Sequence, residues 1–335
     1  MTPGTKTTSC IRNDVISFKE RPPWWGGDLQ TLRNYLISDR PTLPGTSAIR
    51  TFPVSDGSND RLTGTLHRPA ASRRQPLILL IHGLTGCEDS IYMRKSARFH
   101  LLRDRPVLRL NLRGAGSSRC LSRGYYHAGC ASDLQDVLDG LEPDEKSQGV
   151  FAIGFSLGGN ILLNLLGRLA ERHGLVGAAT VSAPIEPIES CRQLMAARNT
   201  LYHRFLLRRM KQDVLSSVTL THEQRRVVKN ASSVYEFDDK FVAPCNGFLN
   251  AKDYYEKTAG VRQVNCVDVP TLMLHASNDP WVPTSPYRTL QSRSPACVKI
   301  TITRGGGHVG FHEQGTTDTW HDQQIDGFLK MLRAV

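Results

Sequence analysis

Apolar and polar positions follow two periods along this chain, and the switches between them outline its elements. Leu77 to Ile81 is an unbroken apolar run of strand length, the pattern of a strand buried on both faces. Before it, Ala48 to Val54 and Leu62 to His67 alternate around Ser55-Asp56-Gly57-Ser58-Asn59-Asp60, which predicts a hairpin. After it, helical and extended stretches take turns. The periodicity predicts helices over Tyr92 to Leu102, Ala131 to Leu141 and Asn160 to Leu169, and strands over Val107 to Leu110, Val150 to Ile153 and Gly177 to Val181. Such alternation implies right-handed crossovers and an α/β fold with a mainly parallel sheet flanked by helices.

From Pro184 to about Arg262 the alternation stops and the period is mostly helical, as expected of an insertion that crosses above the sheet as a cap. Strand patterns resume at Thr271 to His275 and Val298 to Thr303, and Trp320 to Leu332 closes the chain as an amphipathic helix. At the other end, residues 1–20 are expected to be disordered, and Pro22-Pro23-Trp24-Trp25-Gly26-Gly27 opens a short helix over Asp28 to Leu36. The expected organisation is therefore an N-terminal tail, 1–20, a first core part, 21–184, a helical cap, 185–262, and a second core part, 263–335.

Composition narrows the class. No apolar run approaches the roughly 20 residues of a membrane helix, and the first twenty positions lack the apolar centre of a signal peptide. The expectation is a soluble, cytoplasmic protein without leader or anchor. The eight cysteines form no C-x-x-C pair and read as reduced thiols, so neither a disulfide framework nor a metal site is expected. Of the formal charge of +11, a concentrated share lies in the cap, at Arg204, Arg208, Arg209, Lys211, Arg225, Arg226 and Lys229. No zinc-finger spacing or RNP-like run accompanies it, so nucleic acid is not the expected partner. A solvated basic face is the plain reading, and peripheral contact with anionic lipid the functional one.

Gly154-Phe155-Ser156-Leu157-Gly158 places a serine between an apolar run and a helix. A glycine-rich turn can close any doubly wound strand-helix unit, so the reading as a nucleophile elbow depends on what else the chain supplies. A serine hydroxyl needs a base, and the base needs an orienting carboxylate. Where this elbow occurs in such sheets the chain order is serine, acid, histidine. Asp279 follows the strand ending at His275, in a loop fixed by Pro280 and Pro283, and His308 follows the last strand beside Gly305-Gly306-Gly307. Glu186 and Glu189, after the preceding strand, are alternative acids. The two backbone donors of an oxyanion hole are expected at Leu157, just past the nucleophile, and at Leu84 in His82-Gly83-Leu84-Thr85-Gly86. His82 precedes the serine and is expected to hold this loop by hydrogen bonding. Leucine at 84, where an all-glycine loop would carry glycine, is expected to narrow the acyl pocket.

Read together, these residues resemble the YheT-like group of α/β-hydrolases, the AB hydrolase 4 family. The similar stretches are His82 to Glu88, Asn111-Leu112-Arg113-Gly114 with Tyr126-His127-Ala128-Gly129, Gly154 to Asn160, Val181-Ser182-Ala183-Pro184, Glu236-Phe237-Asp238-Asp239, Asn278-Asp279-Pro280 and Gly306 to Phe311. The resemblance implies a cofactor-free serine carboxylesterase acting on short- to medium-chain acyl esters, with Ser156, Asp279 and His308 as triad. Relatives that act on lipids make a lipase, phospholipase or thioesterase the alternative reading. The family positions Arg113, His127 and Asp238 are read as supports: a strand-end turn, a loop tie and a cap contact. A reading of another class is a non-catalytic protein that binds a partner through the fold and its basic cap.

Overall fold

The computed structural model describes residues 18–334 apart from 38–39, 72–73, 170–173 and 218. Its frame is an eight-stranded sheet: β1 (Thr46–Pro53), β2 (Arg61–Arg68), β3 (Leu77–Ile81), β4 (Val107–Asn111), β5 (Val150–Phe155), β6 (Leu175–Val181), β7 (Thr271–Ala276) and β8 (Val298–Thr303). The spatial order is β1-β2-β4-β3-β5-β6-β7-β8. β1 and β2 form the antiparallel hairpin, β2 runs antiparallel to β4, and every later pairing is parallel. Two-sided burial explains the continuous apolar sequences of the centre: every residue of β3, β4 and β5 is buried.

Helices cover both faces. α1 (Gly26–Leu36), α2 (Ile91–Leu101), α3 (Ala131–Asp139) and α4 (Leu157–Leu166) precede the cap. Between β6 and β7, in the segment expected to form the cap, lie α5 (Pro187–Met195), α6 (Thr200–Leu215), α7 (His222–Asn230), α8 (Val234–Phe237), a π-helical turn at Asp238–Val242, α9 (Ala243–Cys245) and α10 (Ala251–Thr258). α11 (Ser285–Gln291) and α12 (Trp320–Ala334) complete the core. One apolar cluster joins α3, α4 and the cap to one sheet face, and a second packs α2 and α12 on the other.

Two elements differ from the periodicity. α4 starts at Leu157, three positions earlier than the pattern indicates, because Gly158 and Gly159 carry no side chain to report a helical face. α11 was not anticipated: it is seven residues long with proline in its first turn, a position that favours a helix start. The expected tail lies outside the described residues up to position 17. Phe18 and Glu20 are held in place: Phe18 packs edge-on against Phe311 and Trp320, and Glu20 bridges to Glu313.

The cap is tied to the helix that follows Ser156. Asn160 Nδ2 donates to Thr258 O at 2.9 Å while its Oδ1 accepts from Gly260 N at 2.9 Å, and Asn164 Nδ2 reaches Thr258 O at 2.8 Å. Buried amides must find partners, and here the partners are backbone groups at the C-terminal end of α10 and in the 3-10 turn that follows it. The cap is thereby registered on the same helix that positions the serine.

Candidate active site

β5 ends at Phe155, and the next residue must reverse direction to enter α4. Ser156 does so at φ 49° and ψ −123°, a conformation that L-residues rarely adopt and that stores roughly 1–3 kcal/mol. Its own N–H donates to Val181 O at 2.8 Å, which pins the turn to β6. The turn closes only because its neighbours lack side chains. A Cβ on Gly158 would sit 2.4 Å from His82 O, and one on Gly83 would sit 2.9 Å from Ser156 Cβ. Thr85, Ser182 and Val309 also have positive φ, so backbone strain is concentrated where three loops meet.

Those loops bring together three side chains that lie far apart in the chain. His308 Nε2 is 2.8 Å from Ser156 Oγ, and His308 Nδ1 is 2.8 Å from Asp279 Oδ2. Asp279 Oδ1 accepts from the N–H groups of Trp281 at 2.8 Å and Val282 at 3.0 Å. Burial alone would raise this carboxyl, but the facing His308 and these N–H donors outweigh it and hold Asp279 below the ordinary carboxylate value. An ionised Asp279 only accepts, so His308 carries its proton on Nδ1 and leaves Nε2 free to accept from the serine hydroxyl. The Trp281 ring covers the imidazole, with centroids 4.4 Å apart. Glu186 and Glu189 are not part of this chain of contacts: Glu189 Oε2 accepts from Ser285 Oγ at 3.3 Å instead.

The histidine loop is braced by α1. His308 N donates to Thr31 Oγ1 at 2.8 Å, and Asn34 Nδ2 donates to Val309 O at 3.0 Å. From the sheet side, Ser182 Oγ accepts from Val309 N at 3.1 Å. Asn278 Oδ1 accepts from Gly307 N at 2.9 Å, joining the acid loop to the histidine loop.

The loop after β3 is held by three rings. Leu112 N donates to His82 Nε2 at 3.1 Å, so His82 has its proton on Nδ1 and donates to Gly83 O at 2.8 Å. Burial lowers the His82 pKa to about 4 and keeps the ring neutral. Gly83 N donates to Tyr92 Oη at 2.9 Å and Thr85 N donates to Tyr126 Oη at 2.7 Å. Between them, the N–H of Leu84 donates to no protein acceptor among the described residues, and neither does that of Leu157 at the start of α4. Both residues line the same cavity as Ser156. Two backbone donors without internal partners beside a serine hydroxyl are what stabilisation of a developing oxyanion requires. If the tyrosines set the position of Leu84, Tyr126→Phe lowers kcat by about tenfold with little change in KM. Steady-state kinetics on a soluble ester check this, and an unchanged kcat contradicts it.

The cavity above Ser156 has a volume of about 700 Å³. The core lines it with Leu84, Leu157 and His308, and the cap with Leu194, Leu206 and Met210. Its size suits a ligand with a substantial apolar body, and the Leu84 side chain forms part of its wall. His127 lines the cavity, and Arg113 directly precedes the lining residue Gly114. Arg113 pairs with Asp133 at 2.6 Å and Asp56 at 2.7 Å at the end of β4, while His127 Nδ1 accepts from Gly129 N at 3.2 Å within its own loop.

Comparison with known proteins agrees with this architecture. A model of the alpha/beta hydrolase family matches residues 78–319. Escherichia coli YheT is 28% identical over 248 residues, which cover 72% of each chain. Human phospholipase ABHD3 is 27% identical over 303 residues, 86% of this chain and 72% of that protein. Monoacylglycerol lipase of Saccharomyces cerevisiae is 27% identical over 271 residues, 77% of this chain and 60% of that protein. Among solved structures, the Pyrococcus furiosus esterase Pf2001 aligns with a TM-score of 0.59 over 95% of this chain and 98% of that one, at 14% identity, which is a likeness of fold. The chain belongs to the α/β hydrolase family, in its esterase and lipase-type part.

Proposed function

We propose that this protein is a serine carboxylic ester hydrolase that cleaves short- to medium-chain acyl esters through an acyl-enzyme. The observation that carries the reading is the continuous hydrogen-bonded path from Ser156 through His308 to Asp279. In this reading Ser156 Oγ attacks the ester carbonyl as His308 Nε2 takes its proton, and Asp279 holds the imidazole and balances its charge. The N–H groups of Leu84 and Leu157 stabilise the tetrahedral oxyanion. His308 then returns the proton to the leaving alcohol, and a water activated by the same nitrogen releases the acid. The test is turnover of p-nitrophenyl esters from acetate to octanoate. The largely apolar cavity predicts that kcat/KM rises with acyl length from the acetate, and failure to turn over any of the series contradicts the proposal.

One surface feature favours lipid-like esters within that class. Tyr35 of α1 and Phe205 of α6 stand edge to face at 5.5 Å, and Leu36 and Leu201 lie on the same two helices. All four are exposed, Leu201 to 81%, and Tyr35 also lines the cavity. Arg204 and Arg208 are exposed on the same stretch of α6, so the cavity opens beside an apolar collar with positive charge, a combination suited to an anionic lipid surface. Sedimentation with phosphatidylglycerol vesicles is expected to carry the protein down at low salt and less so at high salt. No binding at low salt contradicts this second reading.

A further inference from the structure

Glu236, Asp238 and Asp239 lie within four consecutive positions but have different surroundings. Glu236 accepts from Ser232 Oγ at 2.6 Å and pairs with Lys240. Asp239 Oδ1 accepts from Ala251 N at 2.9 Å and so anchors the start of α10. Asp238 alone faces inward, at the first position of the π-helical turn, and it lines the cavity that contains Ser156. It is 8% exposed. Tyr255 Oη donates to its Oδ2 at 2.6 Å, and Oδ1 has no protein hydrogen-bond donor among the described residues. Phe237, Phe241, Tyr254 and Tyr255 line the cavity beside it.

This is an uncompensated acid in an apolar setting. Burial raises its pKa to about 7 against the opposing Tyr255 hydrogen bond, and no arginine or lysine contributes to its ionisation. A carboxyl in such a place is stabilised by whatever donor reaches its open oxygen. The protein supplies one donor to two oxygens, and the cavity is the direction from which a second can come. Its position within the acyl-ester cavity makes a substrate the natural source. π-Helical turns, in which an extra residue is accommodated in a helix, frequently occur at functional sites, and this one lies where Asp238 turns inward.

We propose that Asp238, held by Tyr255, is a substrate-recognition residue that accepts a hydrogen bond from a hydroxyl or a protonated amine carried by the ester, so that the preferred substrates are polar-headed acyl esters rather than plain alkyl esters. The proposal rests on the hydrolase reading above and specifies what the same cavity selects. It places no step of bond making or breaking on Asp238.

Matched pairs of esters test it. On the alcohol side, 2-hydroxyethyl octanoate is compared with propyl octanoate, and 3-(dimethylamino)propyl octanoate with 4-methylpentyl octanoate. On the acyl side, ethyl 8-hydroxyoctanoate is compared with ethyl nonanoate. The readout is the ratio of kcat/KM within each pair on one protein preparation, so a variant's partial loss of fold cancels. The wild-type protein is expected to favour at least one donor-bearing ester by roughly ten- to a hundredfold. Asp238→Leu is expected to bring that ratio to about one. Asp238→Asn keeps an acceptor without the charge, so it is expected to retain part of a hydroxyl preference and to lose an ammonium preference. Hydroxyl selectivity alone identifies a neutral donor and ammonium selectivity alone a cationic one, and either supports the proposal. Turnover without discrimination in the wild type, or a preference that survives in Asp238→Leu, overturns this inference alone. Absence of turnover on every ester overturns the hydrolase reading and this inference with it.

Discussion

Replacing Ser156 by alanine is expected to lower ester turnover by at least about 10⁴-fold while leaving the fold intact. The magnitude follows from the division of labour at the site. Without Oγ no acyl-enzyme forms, and the remaining cavity, His308 and backbone donors catalyse only weakly through binding and oxyanion stabilisation. Removing Oγ does not disturb the turn, because the strained backbone at φ 49° is imposed by the Ser156 N to Val181 O bond and by close contacts of Gly83 and Gly158. The measurement is kcat on p-nitrophenyl octanoate beside a thermal unfolding curve. A kcat within tenfold of wild type, with the melting curve unchanged, contradicts the assignment.

Asp279→Asn is expected to lower kcat by about 10³–10⁴-fold, although it replaces one side chain by another of the same shape. The geometry dictates how the amide must sit. Trp281 N and Val282 N both donate to one oxygen of Asp279, so the asparagine oxygen takes that place and its NH₂ faces His308 Nδ1. Two donors cannot share that contact. His308 is then driven to carry its proton on Nε2, where it can no longer accept from Ser156 Oγ. The comparison is kcat and melting temperature for the two proteins, and retention of more than a tenth of the wild-type kcat contradicts the role given to Asp279.

What the chain reveals before folding is uneven, and the reasons are physical. The central strands are legible because burial on both faces leaves them without polar positions: Leu77–Ile81 could hardly be anything else. Ser156, Asp279 and His308 could be picked out because each follows a recognisable strand, and parallel sheets gather such residues at one edge. Of the supports, His82 was legible as the tie of its loop, and it makes that tie, whereas others were not. Gln30 and Thr31 are buried polar residues on a short helix with little apolar periodicity, and only the three-dimensional fold brings Thr31 Oγ1 to His308 N. Tyr92 and Tyr126 carry no sign of their role in the sequence, because a phenol that holds a backbone amide leaves no mark on hydrophobic period. Asp238 stood out as a family position and was read as a cap contact. Its hydrogen bond to Tyr255 is one, whereas its opening onto the cavity depends on a π-helical turn that no pattern of 3.6 anticipates.

The central claim is that Ser156 is an activated nucleophile within reach of a cavity-bound acyl group. The most direct measurement is reaction with an alkyl fluorophosphonate, followed by peptide mass spectrometry. The account predicts one stoichiometric phosphonyl adduct, located on Ser156 and absent from Ser156→Ala. A folded wild-type protein that remains unmodified, or that is modified at another residue while Ser156 stays free, would contradict it.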